Sequence, residues 1–300
     1  MSNTKPAPSV SDIAVEPWEL AGAEDEPILG NTHRPPGTSP GSGNDASAIR
    51  GQAIICHGFK GYMDYGFIPR LADVLAQHGI AAHRFNFSHS GVTREFETFA
   101  RPELFERETW TKQVFDLTRV VEHFGGQNGA PLAVFGHSRG GVTALLTASR
   151  LPDNQITRVI AAASPADAAR LAPEARDLLL RTGRLPSPSG RTGQDLYVGR
   201  DWLTEIEADP EAHDPLIASA KLGGRVVHIH GDADPTVVLD DLHRYADANP
   251  EAETVVIPDA DHVFNGPNPM TRETTPPPQT QALFDAVLAG LGAEFGITAD

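Results

Sequence analysis

The sequence GHSRG at residues 136–140 places Ser138 between two glycines and matches the pattern G-x-S-x-G. A serine hydroxyl becomes a good nucleophile at neutral pH only when a base takes its proton and a third group orients that base. The motif follows the apolar run 132–135 and precedes a segment with helical spacing. In such a strand–turn–helix, small residues let the chain pass closely while a strained turn raises the serine above the sheet. Ser138 is therefore the candidate nucleophile for acyl transfer.

A base and an acid for Ser138 are expected later in the chain, in the order acid and then histidine. The run 254–257 is typical of a strand, and His262 lies in the loop that follows it. An imidazole at that position can reach over the end of a sheet. Two acids, Asp232 and Asp234, compete in the turn after the predicted strand 226–229. The residues thus predict His262 as the base and leave the choice of acid open.

A tetrahedral intermediate carries a negative charge that backbone N–H groups stabilise. One predicted donor is the amide of Arg139, which directly follows the nucleophile. The second is expected from the loop HGFKG at residues 57–61, which follows the apolar run 53–56. Its glycines permit a tight path that turns the amide of Phe59 inward. We interpret His57 in the same loop as a brace that holds the loop by hydrogen bonding.

The elements that must position these residues follow from the apolar pattern. Runs 13–20 and 27–33 alternate around a turn and predict an antiparallel hairpin. From residue 51 onwards, short apolar runs alternate with helix-spaced segments, which predicts a mostly parallel sheet with helices on both faces. The predicted strands are 53–56, 80–85, 132–135, 158–163, 226–229 and 254–257. The longest helical stripe, assigned to the core, contains Trp110, Val114, Leu117, Val121 and Phe124.

The domain organisation is predicted from composition. Residues 1–10 are expected to be a disordered tail, 11–300 a single α/β domain, and the Pro/Gly/Ser-rich stretch 35–50 a flexible connector within it. A long charged stretch at residues 165–222, called the insertion below, separates two strands. It is expected to contain a helical opening at 166–181, a turn at 185–190 and a second helix at 202–208. A loop of this length inside a compact domain is usually a lid or a binding element, and the alternative is a surface excursion without a role. Tyr197 and Trp202 are the candidate substrate contacts.

Four segments in order resemble the α/β-hydrolase superfamily over roughly residues 51–292: HGFKG at 57–61, GHSRGG at 136–141, HGDAD at 230–234 and DH at 261–262. The chain is most similar to a bacterial branch with cinnamoyl/feruloyl esterases, dienelactone hydrolase-like proteins and serine aminopeptidase-like proteins. This resemblance implies that the acid of the H-G-x-x-D turn, Asp234, completes the triad, and that the amide of Phe59 binds the oxyanion. It also implies that the insertion is a helical cap. One departure is FSHSG at 87–91, where these esterases commonly carry G-H-G-x-S.

The implied function is hydrolysis of carboxylic esters through an acyl-enzyme, without a cofactor or a metal, on a small-molecule acyl ester. A formal net charge of −16, from 40 acidic and 24 basic residues, argues against nucleic acid and anionic membranes as partners. No apolar run approaches the roughly 20 residues of a membrane span, and the first 17 residues hold no signal-peptide stretch. The single cysteine, Cys56, is expected to be buried and excludes an intrachain disulfide. We expect a cytoplasmic enzyme, and a homo-oligomer is left open.

Three alternatives remain. The same triad serves thioesterases and serine peptidases. The sequence HIHGD at 228–232 fits the opening of the metal-binding motif of metallo-β-lactamase-like hydrolases, although Asp234 stands where that motif ends in histidine. A protein with this fold can also be a binding protein without catalysis.

Overall fold

Eight strands of the described residues pair into one sheet whose centre is parallel. The computed structural model describes residues 12–38, 49–126 and 129–297. The predicted tail at 1–10 and most of the predicted connector at 35–50 lie outside these residues. The strands are β1 (Ala14–Ala21), β2 (Pro27–Arg34), β3 (Gly51–Cys56), β4 (Ile80–Asn86), β5 (Leu132–His137), β6 (Arg158–Ala162), β7 (Arg184–Pro186), β8 (Tyr197–Gly199), β9 (Val226–Gly231) and β10 (Glu253–Ile257). The helices are α1 (Ile68–Gln77), α2 (Pro102–Glu106), α3 (Trp110–Phe124), α4 (Arg139–Ala148), α5 (Pro173–Thr182), α6 (Asp201–Ala208), α7 (Pro215–Leu222), α8 (Asp240–Ala248) and α9 (Pro278–Leu291).

The strand order in the main sheet is β1-β2-β4-β3-β5-β6-β9-β10. The hairpin β1–β2 joins the sheet through an antiparallel pairing of β2 with β4, and all pairings from β4 to β10 are parallel. The predicted α/β-hydrolase fold, with a mostly parallel sheet and an N-terminal antiparallel hairpin, is confirmed. Parallel order brings the carboxyl ends of β3, β5, β9 and β10 to one edge, where the candidate residues follow each strand.

Helices cover both faces of the sheet, and the central strands are buried throughout. Along β3, Ile54 and Cys56 pack into the layer that contains α3 and α4. Ala53 and Ile55 pack into the opposite layer, which contains α1 and α9. Successive side chains of a strand point to opposite faces, so both faces here must be apolar. This explains why β3 and β5 are continuous apolar runs.

The insertion differs from its predicted secondary structure at its start. The helix predicted over 166–181 is wrong for residues 166–172, because α5 begins only at Pro173, whose ring suits the first turn of a helix. The preceding segment is held by other bonds instead. The amide of Ala166 donates to Asp241 at 3.1 Å, and Trp110 Nε1 donates to the carbonyl oxygen of Ala168 at 3.3 Å. The predicted helix at 202–208 is confirmed as α6, and β7 pairs with β8 around the predicted turn.

The last helix of the insertion, α7, packs against α4 and α8. Two of its buried side chains, Ala218 and Leu222, belong to the same apolar layer as α3 and α4. This helix therefore covers the sheet as the crossover between β6 and β9. The part of the insertion that stands beside the site is the earlier part, with residues 165–171, the hairpin β7–β8 and α6. Within the described ranges, no helix is long and apolar enough to cross a membrane.

Candidate active site

Ser138 lies in a strained turn between β5 and α4. Its backbone angles are φ 54° and ψ −123°, a conformation that side-chain-bearing residues rarely adopt. A Cβ atom added to Gly136 would lie 2.2 Å from the carbonyl oxygen of Gly140, and one added to Gly140 would lie 2.5 Å from that of Cys56. Both contacts are with backbone that cannot move away. The glycines of the motif are therefore required for the close approach that presents Ser138.

His262 contacts both of the other predicted triad residues. Its Nε2 lies 3.1 Å from Ser138 Oγ, and its Nδ1 lies 2.7 Å from Asp234 Oδ2. A carboxylate can only accept, so Nδ1 carries the proton and Nε2 is free to accept from the serine hydroxyl. The sequence separations are 124 and 28 residues, and only the parallel sheet brings the three groups together.

Asp234 is held as an anion, whereas Asp232 faces elsewhere. Asp234 Oδ1 accepts hydrogen bonds from the amides of Thr236 at 2.8 Å and Val237 at 2.9 Å. Burial by itself raises the pKa of Asp234, but the hydrogen bond and charge of His262, together with the two amides, lower it below the usual value. Asp232 is exposed and accepts from the amide of Asp259 at 2.7 Å. Of the two acids, the structure places Asp234 against His262.

His137 anchors the loop that carries His262, a contact that the sequence pattern does not indicate. Its Nε2 donates to the carbonyl oxygen of His262 at 2.7 Å. Burial lowers the pKa of His137 to about 3, with the nearby His262 acting in the same direction, so the ring is neutral. A second histidine bond supports the acid turn, where His230 Nε2 donates to the carbonyl oxygen of Val237 at 2.8 Å.

The loop after β3 lies directly against the nucleophile. A Cβ on Gly58 would be 3.1 Å from Ser138 Cβ, and the turn closes with the amide of Gly61 donating to the carbonyl oxygen of Gly58 at 2.9 Å. His57 Nδ1 donates to the same carbonyl oxygen at 2.9 Å, while its Nε2 accepts from the amide of Phe87 at 3.4 Å. Burial lowers the pKa of His57 to about 4. The bracing role predicted for His57 agrees with these bonds.

A cavity of about 330 Å³ opens beside Ser138. This size lies within the range of small-molecule sites. Of the two candidate substrate contacts, Trp202 lines it but Tyr197 does not, because the Tyr197 ring lies against the Arg184 guanidinium, 4.2 Å away. The side chain of Phe59 also lines the cavity. Trp110, predicted as a core residue only, is buried and also lines the cavity. Further apolar lining residues are Pro165, Leu171, Leu185, Val198 and Val237.

The side chain of Arg139 is buried in the wall of this cavity. Its guanidinium carbon lies 4.5 Å from the centre of the Trp110 ring, and its Nη1 lies 3.5 Å from Glu108 Oε2. Gln113 bonds both partners, donating to Glu108 Oε1 at 2.7 Å and accepting from Arg139 Nε at 3.4 Å. The residue after the nucleophile thus contributes a backbone amide at the turn and a charge-paired side chain in the cavity wall.

The three residues of the alternative metal motif do not converge. His228 Nε2 lies 3.0 Å from Ser219 Oγ, His230 bonds the Val237 carbonyl, and Asp232 bonds the Asp259 amide. In the part of the chain that the structure describes, no group of three or more His, Cys, Asp or Glu side chains is arranged to hold a metal ion.

The model of the alpha/beta hydrolase family matches residues 53–272. The chain belongs to the alpha/beta hydrolase family. Similar solved structures include Est1E from Butyrivibrio proteoclasticus, at 15% identity and a TM-score of 0.62 over 92% of this chain and 98% of that one. A putative hydrolase from Agrobacterium vitis is 18% identical, with a TM-score of 0.67 over 93% and 98% of the two chains. An esterase domain from Rhodothermus marinus is 16% identical, with a TM-score of 0.60 over 94% and 98%. A sequence comparison with curated proteins finds no match.

Proposed function

We propose that this member of the family is a serine hydrolase that cleaves carboxylic esters through an acyl-enzyme intermediate. The observation that carries the proposal is the unbroken hydrogen-bond chain from Asp234 through His262 to Ser138, which ends at a cavity. Each link has the donor and acceptor that general-base activation of a serine requires.

In the acylation step, Ser138 Oγ attacks the ester carbonyl carbon and its proton passes to His262 Nε2. The imidazolium is stabilised by the carboxylate of Asp234, which stays ionised. The carbonyl oxygen becomes an oxyanion and accepts from the amides of Phe59 and Arg139, as preorganised donors do in acyl transfer. When the tetrahedral intermediate collapses, the C–O bond to the alcohol breaks and His262 gives its proton to the leaving oxygen.

Deacylation repeats these steps with water. His262 Nε2 takes a proton from the water, whose oxygen attacks the acyl carbon. The second tetrahedral intermediate releases Ser138 Oγ, which regains its proton from His262, and the carboxylic acid leaves. These steps use only side chains, backbone amides and water.

The predominantly apolar wall of the cavity supports a small acyl ester as the substrate class. An apolar wall holds the carbon chain of an acyl group and offers few partners to a peptide backbone, whose polar groups need hydrogen bonds when buried. Hydrolysis of thioesters uses the same triad chemistry, so activity assays must distinguish thioesters from oxygen esters as substrates. The Est1E structure with ferulic acid bound makes hydroxycinnamate esters a reasonable part of a substrate panel.

Labelling with a fluorophosphonate tests the nucleophile directly. We expect a single covalent adduct on the tryptic peptide that contains Ser138, and none in Ser138→Ala. Ser187→Ala is the matched control, since Ser187 also lines the cavity but is not hydrogen-bonded to His262; it should keep the label. Folded wild-type protein that never labels would refute the proposal and favour a non-catalytic binding protein.

Turnover distinguishes the bond that is cleaved. The panel contains p-nitrophenyl esters of increasing chain length, hydroxycinnamate esters, acyl thioesters and aminoacyl amides. We expect the oxygen esters to have the highest kcat/KM, and Ser138→Ala to lower it by a factor on the order of 10⁴ or more. Preference for the amides would contradict the ester assignment while leaving the nucleophile intact.

A further inference from the structure

The turn that presents the amide of Phe59 is strained. The amide of Gly61 donates to the carbonyl oxygen of Gly58, so Phe59 and Lys60 occupy the two central positions of a β-turn. Lys60 has a φ of 57°, in the left-handed region that favours glycine and that side-chain-bearing residues rarely adopt. Such a conformation persists only where the surrounding structure holds it. The direction of the Phe59 amide therefore depends on contacts from outside the turn.

The ring of Phe59 makes such contacts. Its centre lies 5.4 Å from the ring centre of Phe105 and 5.5 Å from the guanidinium carbon of Arg139. A guanidinium within about 6 Å of an aromatic ring centre is attracted to the negative face of the ring. Lys60 Nζ also lies 5.3 Å from the ring, but Lys60 belongs to the turn and moves with it. Its bond to the Pro188 carbonyl oxygen, at 2.8 Å, ties the turn to the insertion. Arg139 is the contact that ties the turn to α4.

Arg139 is itself held at both ends of its side chain. Its backbone begins α4, directly after the nucleophile, and the residue is buried. Its guanidinium lies over Trp110 at 4.5 Å and contacts Glu108 at 3.5 Å and Gln113 at 3.4 Å. A side chain whose conformation is locked by packing and hydrogen bonds can hold a neighbouring loop in a fixed position. Arg139 therefore has the rigidity that a support for the Phe59 ring requires.

We propose that Arg139 is a positioning residue whose side chain, through the ring of Phe59, fixes the direction of the Phe59 amide relative to its own amide. The inference rests on the proposed function, in which these two amides bind the oxyanion. The donors belong to different segments, the loop after β3 and the start of α4, yet both must point to the same oxygen. The contact between the guanidinium and the ring joins the two donor residues directly.

Variants that keep the charge of the cavity wall balanced test this role. Removal of Arg139 alone would leave the buried carboxylate of Glu108 without its cation, which is strongly destabilising. The reference is therefore Glu108→Gln, and the test variant combines Glu108→Gln with Arg139→Met, whose unbranched apolar side chain suits a buried wall. Arg184→Met is the matched control, because the Arg184 guanidinium makes the same kind of contact with Tyr197, at 4.2 Å, away from the cavity. Thermal melts check that each variant is folded.

Two competitive inhibitors separate binding of the oxyanion from binding of the carbon chain. A trifluoromethyl ketone forms a tetrahedral adduct with Ser138 that carries an oxyanion, whereas the primary alcohol of the same chain length fills the cavity without one. Relative to the reference, Arg139→Met should raise Ki of the ketone and lower kcat on a p-nitrophenyl ester about tenfold each, the scale of one cation–π contact. Ki of the alcohol should change less than about twofold, because the carbon chain does not contact the oxyanion donors. Arg184→Met should keep both wild-type Ki values.

A double-mutant cycle shows whether Arg139 acts through Phe59. Phe59→Leu removes the ring but keeps the backbone amide, so by itself it should reproduce the losses in kcat and in ketone binding. Once this change is present, adding Arg139→Met should lower kcat by less than about twofold, since the contact is already broken. Phe59 is 39% exposed, so Phe59→Leu also tests the contact should the buried variants fail to fold.

The proposal is overturned if Phe59→Leu or Arg139→Met leaves Ki of the ketone unchanged, or if either weakens the alcohol as much as the ketone. Losses that multiply in the double variant also overturn it, because Arg139 would then act by another route. Failure of the proposed function is distinguishable, since it appears as absent Ser138-dependent turnover and labelling in the wild-type protein and removes both conclusions. Wild-type turnover with unaffected variants removes only the role of Arg139.

Discussion

Replacing Asp234 by asparagine should abolish most activity by reversing the proton positions on His262. Asp234 Oδ1 accepts from two backbone amides, at 2.8 and 2.9 Å, and an asparagine oxygen can keep both bonds. The NH₂ group then faces His262 Nδ1 in place of Oδ2. Because two donors cannot bond each other, the neutral imidazole must place its proton on Nε2. In that form Nε2 no longer accepts the proton of Ser138.

The size of the expected loss in kcat/KM follows from this change in His262, which can no longer act as the base. The base is lost while the oxyanion donors and the cavity remain, so the rate does not fall to that of the uncatalysed reaction. We expect kcat/KM to fall by about 10⁴, which corresponds to about 5.4 kcal/mol of transition-state stabilisation. The fold should be retained, since the asparagine has nearly the same shape and preserves the two amide bonds.

Steady-state hydrolysis of a p-nitrophenyl ester measures the effect, and Asp232→Asn is the matched control from the same turn. The side chain of Asp232 accepts one amide bond at an exposed position, which asparagine can also accept. Its kcat/KM should stay within about threefold of wild type, as expected for a surface substitution. Thermal melts of both variants check that folding is equal. A larger loss in Asp232→Asn than in Asp234→Asn would refute the assignment of the acid.

Three further predictions concern the turn, the support of His262 and acid stability. Gly140→Ala should lower Tm strongly and remove activity, since its Cβ would lie 2.5 Å from the Cys56 carbonyl oxygen. The control is Gly190→Ala, whose Cβ would meet no atom within 4 Å, so the same thermal melt should show an unchanged Tm. His137→Phe keeps the aromatic contact with Phe67 but removes the bond to the His262 carbonyl oxygen, so kcat should fall roughly 10- to 100-fold with little change in KM. An unaltered kcat would show that this bond does not position His262 for catalysis. Five buried histidines have pKa values lowered from 6.5 to about 3 or 4, so the unfolded chain binds protons below pH 6.5 that the folded protein does not. Stability present above pH 6.5 should therefore be lost as the pH falls toward 4, by up to about 1.4 kcal/mol per pH unit for each. Urea unfolding at pH 7 and pH 5 measures this loss, and equal free energies of unfolding at the two pH values would contradict it. The five are His57, His83, His89, His137 and His228.

The central strands could be predicted because each is specified by a short stretch of chain. Ala53 to Cys56 are apolar at every position, and a strand buried on both faces needs that pattern whatever its partners are. The turn at Ser138 is equally local, since the glycines, the serine and the strand–helix boundary all lie within a few residues. The local pattern does not show which strands are neighbours. The strand order supplies this, and it brings His262 to the edge of the sheet where Ser138 lies.

The insertion was harder to predict because its conformation depends on distant partners. Residues 166–172 are rich in alanine, which favours a helix, yet bonds to Asp241 and Trp110 hold this segment in another path. Helix propensity is a weak preference that such tertiary contacts override. The same limit applies to His137, whose bond to the backbone of His262 spans 125 residues.

The contrast between Asp234 and Trp202 follows from where each contact is made. Asp234 acts on His262 through atoms that every ester would need, so its replacement should lower kcat/KM for all substrates by a similar factor. Trp202 lies on the insertion and lines the cavity, but it is not part of the hydrogen-bond chain from Asp234 to Ser138. Its replacement by alanine should change the ratio of kcat/KM between long-chain and short-chain esters. Both variants can reduce activity on one ester, so kcat/KM must be measured on a second ester to tell them apart. A variant that has lost the catalytic base keeps the wild-type ratio of kcat/KM between the two esters, whereas a variant that has lost a substrate contact changes this ratio.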